Sequence, residues 1–452
     1  MTDRRVGLDY RSAVRALEER GRFGVRLGLG RTRALLTALG HPEQSVRGAL
    51  VAGTNGKGSV LALAESALRA AGYHVGATPK PHLVSYRERI QVDGRPIDPD
   101  DFSRLTERVL GLSDRVARRH GEPTEFELLT AVVFARFAAV RPDVALVEVG
   151  LGGRLDATHA WDGGVAVVTN VALDHTDRLG TTVTAIAREK AAIIVRGDLA
   201  VPGADGDGLT VVRRRARRLA VPLVEAAPAP LLGWDRDGIE VDLAGLGRTR
   251  VSLRGRHQAA NVAIADALLD ALEVAGIATT PATARRTGYA TAVWPGRLEL
   301  VHAGGRDVLL DGAHNPAGAS ALAIALDDLR PFLSDGPVTL VTASMADKDV
   351  DGIIAALGRA AAMAGATIIC TSVDLGRALP AEALAARWRR AQPDATVLVE
   401  ADPVAAVDQA LARRSTGTGP VVVAGSLYLV GAARGHLVDD PNLRDPGPSE
   451  DA

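Results

Sequence analysis

Cysteine is almost absent from this chain: Cys370 is the only one in 452 residues. One thiol cannot form an internal disulfide, which excludes a disulfide-stapled scaffold and fits a reducing cytoplasm. Cys370 lies in the apolar run ATIICTSV, where nothing nearby in sequence would lower its pKa. It therefore reads as a buried small hydrophobe rather than a reactive thiol. Net charge is nearly absent too, at −1, so no overall basic field recruits nucleic acid or anionic lipid. No uncharged apolar run is long enough to span a bilayer, and none follows the arginines of MTDRRVGLDYRSAV as an export signal would. These absences predict a soluble cytoplasmic protein with small-molecule substrates and neither nucleic-acid nor membrane partners. No internal repeat of fixed period is present.

What is abundant is core material, with 47% hydrophobic and 24% charged residues. A chain of this length exceeds what one hydrophobic core usually supports, so two domains are expected. From Arg47 to about Ala200, short β-branched runs such as ALVAGT, DVALVEVG and GVAVVTNV alternate with helical stretches. That alternation predicts an α/β fold with a mostly parallel sheet covered on both faces. Around LLGWDRDGIEVDLAGLGRTRVSLRG, polar–apolar alternation and glycine turns predict a small antiparallel insertion before a helix that closes the first domain. A second α/β series follows Pro295. The expected boundaries are 1–296, 297–435 and a disordered tail at 436–452, the tail being rich in proline and acid.

The sequence LVAGTNGKGSV runs from an apolar strand into a loop of Gly53, Thr54, Asn55, Gly56, Lys57, Gly58 and Ser59 that opens a helix. Free backbone N–H groups and the positive helix end make such a loop a phosphate cradle, with Lys57 on the outer phosphates and Ser59 able to ligate magnesium. Val51 stands where the standard P-loop has its first glycine, and Gly58 separates the lysine from the serine, so this is a variant. Glu148 ends a strand that otherwise reads as buried. A carboxylate there needs a cation, either magnesium or Arg154 as an ion-pair partner. Asp174 and His175 follow another strand end; they could serve a metal or phosphate, or form a capping turn. In the second series, LLDGAHNP places Asp311, His314 and Asn315 between a strand and a helix, with Arg297 upstream in WPGRLEL. Its plainer reading is a helix-capping turn.

The ordered set GTNGKGS, PHLVSYRERI, TEFELLT, VEVGLGGRLDAT, TNVALDH, EKA, GRHQ, PGRLE, LDGAHNP, ADKD and GSLYLVG resembles the folylpolyglutamate synthase/dihydrofolate synthase family of the Mur-ligase superfamily, from about Arg11 to Gly431. The resemblance implies a Mur-ligase-like P-loop ATPase domain and a smaller Rossmann-like C-terminal domain with ATP between them. It implies a monomer that joins L-glutamate to a dihydropteroate or folate carboxylate through an acyl phosphate. Carried over by position, Lys57 and its loop bind the triphosphate, and Ser59, Glu148 and His175 hold Mg2+. Gln258 and Asn261 contact the nucleotide, as do Arg297, Asp311 and His314 from the far side, with Lys57, Lys190 and His314 also in catalytic roles. Phe126, Asp156 and His82 belong with the acyl substrate. Lys190, which alone would read as a solvated helical lysine, matches a lysine that the superfamily carries as a carbamate.

Three positions depart from the family pattern. Lys80 stands where a serine before PHL helps to hold magnesium, His159 replaces an asparagine after GRLDAT, and EKAGI has become EKAAI. A cation at position 80 could contact phosphate, displace one metal or point into solvent. Two other readings stay open beside the folate ligase: a ligase of the same chemistry acting on another carboxylic acid, and an ATP-binding protein without catalysis.

Overall fold

The structure is a computed structural model, and it describes residues 7–21, 27–413 and 419–446. Its contacts divide the chain into two compact units. The first comprises 1–227, 263–288 and 441–452, and the second 228–262 and 289–440. Residues 228–262 and 289–296 of the expected N-terminal domain thus pack with the second unit.

The first unit is built on seven strands: β1 (Gly48–Ala52), β2 (Val75–Thr78), β3 (Gln91–Val92), β4 (Arg95–Pro96), β5 (Val144–Glu148), β6 (Gly164–Val168) and β7 (Leu199–Pro202). They lie in the order β4-β3-β2-β5-β1-β6-β7. The strands β2, β5, β1, β6 and β7 are mutually parallel, and the short β3–β4 ribbon pairs antiparallel at the edge. All residues of β1, β2 and β5 are buried, the pattern of parallel strands covered by helices on both faces. Helix Lys57–Ala70 is buried around most of its circumference. Helix Glu125–Val140 starts at a capping box between Thr124 and Glu127, which satisfies two orphan donors of the first turn.

Register sets the rim that matters. Val51 of β1 pairs with Glu148 of β5, and Thr78 of β2 pairs with Val147. The carboxyl ends of β1, β2 and β5 therefore finish level, with the glycine loop, residues 79–82 and Glu148 side by side. Ligands of open parallel sheets are held at this end.

The second unit holds a three-stranded antiparallel sheet, β8 (Leu231–Asp235), β9 (Gly238–Leu243) and β10 (Gly247–Val251), as the alternation of that segment predicts. Its six-stranded sheet comprises β11 (Glu299–Ala303), β12 (Arg306–Asp311), β13 (Thr339–Thr342), β14 (Thr367–Cys370), β15 (Thr396–Val399) and β16 (Val421–Ala424). Their order is β11-β12-β16-β13-β14-β15, with only β11 antiparallel. Cys370 is fully buried in β14 and burial pushes its thiol up to about 12, as expected of a structural hydrophobe.

The expected tail is not disordered over 436–446. Helix Leu427–Leu437 runs into it, and the first unit takes in the following stretch. There Arg87, itself buried, donates to the carbonyls of Asn442 at 2.7 Å and Arg444 at 3.0 Å and meets Asp445 at 3.3 Å. The guanidinium converts an acid- and proline-rich segment into fixed structure by supplying donors that the segment cannot supply to itself. Residues 447–452 lie outside the described residues. No described helix is long and apolar enough to cross a membrane.

Candidate active site

The glycine loop is shaped by close approach. A Cβ on Gly53 would fall 1.9 Å from the Thr169 hydroxyl oxygen, so only glycine fits there. Gly56 takes φ 80° as the N-cap of helix Lys57–Ala70, a left-handed turn that leaves the helix N-terminus open. Thr169, just beyond β6, donates its hydroxyl to the Asn55 carbonyl at 2.7 Å, and the Asn170 side chain accepts from the Asn55 N–H at 2.8 Å. Ser59 is buried in the helix's first turn.

Three lysines converge on this loop. Lys57 donates to the carbonyls of Gly53 and Thr54, both at 3.1 Å, and its ammonium lies 4.0 Å from Glu148 Oε1. Lys190, 4% exposed, donates to the Gly53 carbonyl at 2.7 Å. Burial, reinforced by the neighbouring Lys57 charge, lowers its ammonium to about 7 against the pull of Asp174 and Asp156. The plain reading of Lys190 as solvated surface is therefore wrong. Lys80 does not point into solvent either. Its backbone N–H donates to Glu148 Oε2 at 2.9 Å, and its ammonium donates to the Glu148 carbonyl and, at 3.0 Å, to the Thr78 hydroxyl. Burial lowers it to about 8, with Asp156 and Glu148 opposing.

Glu148, 3% exposed, thus has Lys57 beside one carboxylate oxygen and the Lys80 backbone on the other. Arg154, the other cation considered for it, instead pairs with Glu189 at 3.0 Å. His175 caps a short helix at φ 49° and accepts no side-chain cap bond there; its backbone N–H donates to Asp174 Oδ1 at 2.8 Å. Asp174 acts electrostatically on Lys190, which ties the segment after β6 to the lysine cluster. The buried Glu148 carboxylate suits magnesium, a hard cation that takes one or two carboxylates and completes its shell with water and phosphate oxygens; among the described residues no group of three or more His, Cys, Asp or Glu is placed to hold a metal ion.

The residues expected at the acyl substrate also gather. A Cβ on Gly150 would meet Phe126 Cζ at 2.8 Å and Asp156 Oδ2 at 3.1 Å, so this bare backbone is where ring and carboxylate approach each other. Lys80 Nζ lies 5.5 Å from the Phe126 ring centroid. Asp156 braces its own loop, accepting from the Leu151 N–H at 2.8 Å, the Thr158 N–H at 3.0 Å and the Thr158 hydroxyl. His82 accepts at Nδ1 from Arg89 Nε at 2.8 Å and packs on Tyr86. Burial, helped by Arg89, pushes it down to about 3, so it is neutral with its proton on Nε2.

In the second unit, Asp311 Oδ2 accepts from the Leu298 N–H and Oδ1 from the Ala313 N–H, both at 2.9 Å. Burial raises its pKa while Arg297 opposes the rise. His314 donates Nδ1–H to the Gly312 carbonyl at 2.7 Å. Asn315 caps helix Pro316–Leu329 through Gly318 N–H, as its plainer reading predicts. Gln258 and Asn261 bond to each other at 2.8 Å in the first turn of helix Gln258–Val274.

Sequence reasoning missed Arg89, Thr78, Thr169 and Asn170. One signal was available for the cluster: the chain has only four lysines among its 53 Lys and Arg residues, and three of them meet here.

Comparison with known proteins agrees with this arrangement. Residues 51–269 match the Mur ligase middle domain and 298–434 match the dihydrofolate synthetase C-terminal domain. A dihydrofolate synthase/folylpolyglutamate synthase of Mycobacterium tuberculosis is 37% identical over 91% of this chain and 90% of its own length. The M. tuberculosis folylpolyglutamate synthase solved with ADP and AMPPCP superposes with a TM-score of 0.85 at 33% identity, covering 96% of this chain and all of that one. The Yersinia pestis bifunctional enzyme complexed with AMPPNP and Mn has a TM-score of 0.79 at 27% identity, covering 95% and 98%. The doubly α/β architecture, the glycine loop at the strand ends and these matches together make the chain a member of the dihydrofolate synthase/folylpolyglutamate synthase family.

Proposed function

We propose that the protein is an ATP-dependent ligase that joins L-glutamate to the carboxylate of dihydropteroate or a reduced folate through an acyl phosphate. The observation that carries this reading is the convergence of Lys57, Lys80 and Lys190 on one rim with Glu148 and Gly53. Such a rim suits chemistry in which a carboxylate meets a triphosphate. Carboxylates are poor acyl donors. The acid oxygen attacks the γ-phosphorus, its bond forms as the β,γ-bridging bond breaks, and ADP departs. The glutamate amine then attacks the acyl carbon and phosphate leaves.

The loop amides and Lys57 are assigned to the triphosphate, where they stabilise charge spreading over the transferring group. Arg297, Asp311, His314, Gln258 and Asn261 are assigned to nucleotide contacts. Ser59, Glu148 and His175 would hold Mg2+, which supplies charge neutralisation of the phosphates. Lys190 is assigned as the carbamate-bearing residue. A pKa near 7 supports this, because the neutral amine that reacts with carbon dioxide is then well populated at neutral pH. Phe126 and His82 are assigned to the pterin or its linker, and Asp156 to holding that wall. The protein is assigned as a monomer.

The test is ADP release and product mass with ATP, magnesium, L-glutamate and a panel of dihydropteroate, tetrahydrofolate and unrelated aromatic acids. Acid-dependent ADP with a glutamylated pterin product is expected. Product from a non-pterin acid alone would transfer the same chemistry to another substrate, and absence of any acid-dependent ADP would end the ligase reading.

A further inference from the structure

We propose that Lys80 is the residue that receives the carboxylate of the organic acid and presents it to the γ-phosphate; the inference rests on the ligase reading above. Glu148 has a lysine on each side. Lys57 stands toward the glycine loop, 4.0 Å from Oε1, while the Lys80 backbone holds Oε2 at 2.9 Å. Lys80 extends from there toward Phe126, 5.5 Å from its ring centroid. It lines a pocket whose other walls include Phe126, Leu129, Val133, Phe134 and Arg89. The cavity has room for about one water, so with its two cations it suits an oxygen of the acid's carboxylate, while the body of the acid lies outside it.

The donors available agree with this role. An ammonium has three hydrogens. Two of those on Lys80 go to the Glu148 carbonyl and the Thr78 hydroxyl, and the third is left for a ligand. Asp156 acts on Lys80 electrostatically, but its oxygens already accept from Leu151 and Thr158. Asp156 therefore helps to keep the ammonium charged without taking its last hydrogen. Arg89 spends Nε on His82.

The choice of lysine also has a chemical reason in a chain that otherwise uses arginine almost throughout. A guanidinium grips both oxygens of a carboxylate in a fork, whereas an ammonium binds one as a point charge. A single contact leaves the second oxygen free as the nucleophile. In the step itself, that oxygen's lone pair forms the bond to the γ-phosphorus while the bridging bond breaks toward ADP. Lys80 transfers no proton; it offsets the repulsion between two anions that must touch.

The experiment compares wild type with Lys80→Met, which keeps length and removes charge, and with Lys80→Arg, which keeps charge. It reads KM for dihydropteroate or tetrahydrofolate, KM for ATP and the equilibrium affinity for Mn·AMPPNP. Loss of one charge-assisted contact predicts a rise in acid KM of about 10- to 100-fold in Lys80→Met. Mn·AMPPNP affinity should stay within about twofold, and Lys80→Arg should recover part of the acid KM. An unchanged acid KM with weakened Mn·AMPPNP binding would reassign Lys80 to the phosphates. No change in either would reduce it to a prop for Glu148. Either result overturns the inference while leaving the ligase standing, whereas a wild-type protein without acid-dependent ADP release removes both.

Discussion

The candidate residues of the two units are held in place in opposite ways. In the first unit, Lys190 reaches Gly53 across 137 residues of sequence and Lys80 reaches Glu148 across 68. In the second, Asp311 bonds to Ala313 two residues on and to Leu298 thirteen residues back, and His314 bonds to Gly312. The first set is a meeting of cations that only the folded sheet brings together. The second is a self-bracing loop whose polar side chains satisfy their own backbone. Crowded ammonium groups oppose folding, because burial penalises charge and the lysines repel one another. Groups arranged against local stability are more readily understood as serving a ligand than as serving the fold.

The sharpest way to break this contrast is Lys190→Ala. It should lower turnover by at least about 10²–10³-fold, read as ADP release, and added bicarbonate should not restore it. Stability should not fall in parallel. The folded pKa of about 7 lies below the ordinary lysine value of 10.5, so between these values the unfolded chain binds the extra proton. Wild-type stability should therefore rise as pH climbs from about 7 toward 10.5, and that rise should shrink in the variant. Near-normal turnover would take the carbamate out of the account.

A smaller effect, read on folding beside the loss of the nucleotide contact assigned to this residue, is expected from Asp311→Leu. Removing the carboxylate leaves the buried N–H groups of Leu298 and Ala313 without acceptors, at roughly 2–6 kcal/mol together. The denaturation midpoint of the second unit reports it, and an unmoved midpoint would show that the loop does not depend on this brace. The smallest effect belongs to Arg87→Met, about 1–3 kcal/mol for the lost charge-assisted bonds. It should be accompanied by faster proteolysis within 438–446.

Much of this molecule was legible before folding was considered. The glycine loop, Lys57 and Glu148 announce themselves because a strand, a turn and a helix are local patterns, and the strands of both parallel sheets follow from β-branched runs between helices. Asn315 could be read as a cap for the same reason. What could not be read depends on which distant segments become neighbours. Lys80 had three possible directions, and only the level ends of β2 and β5 settle that it turns inward. The β3–β4 ribbon, two residues per strand, is too short to leave a periodic signal. The acid-rich tail looked unable to order itself, and in isolation it has no reason to; the donor it needed is Arg87.

That last pairing bears on how the protein is made. The first unit is assembled from three separate stretches of chain, the last of them beginning at Pro441. On the ribosome, Arg87 must wait through more than 350 residues of synthesis before the carbonyl of Asn442 exists to accept its proton. The unit that begins first is thus completed last, and a nascent chain lacking its final segment would carry a buried guanidinium with its main acceptors missing.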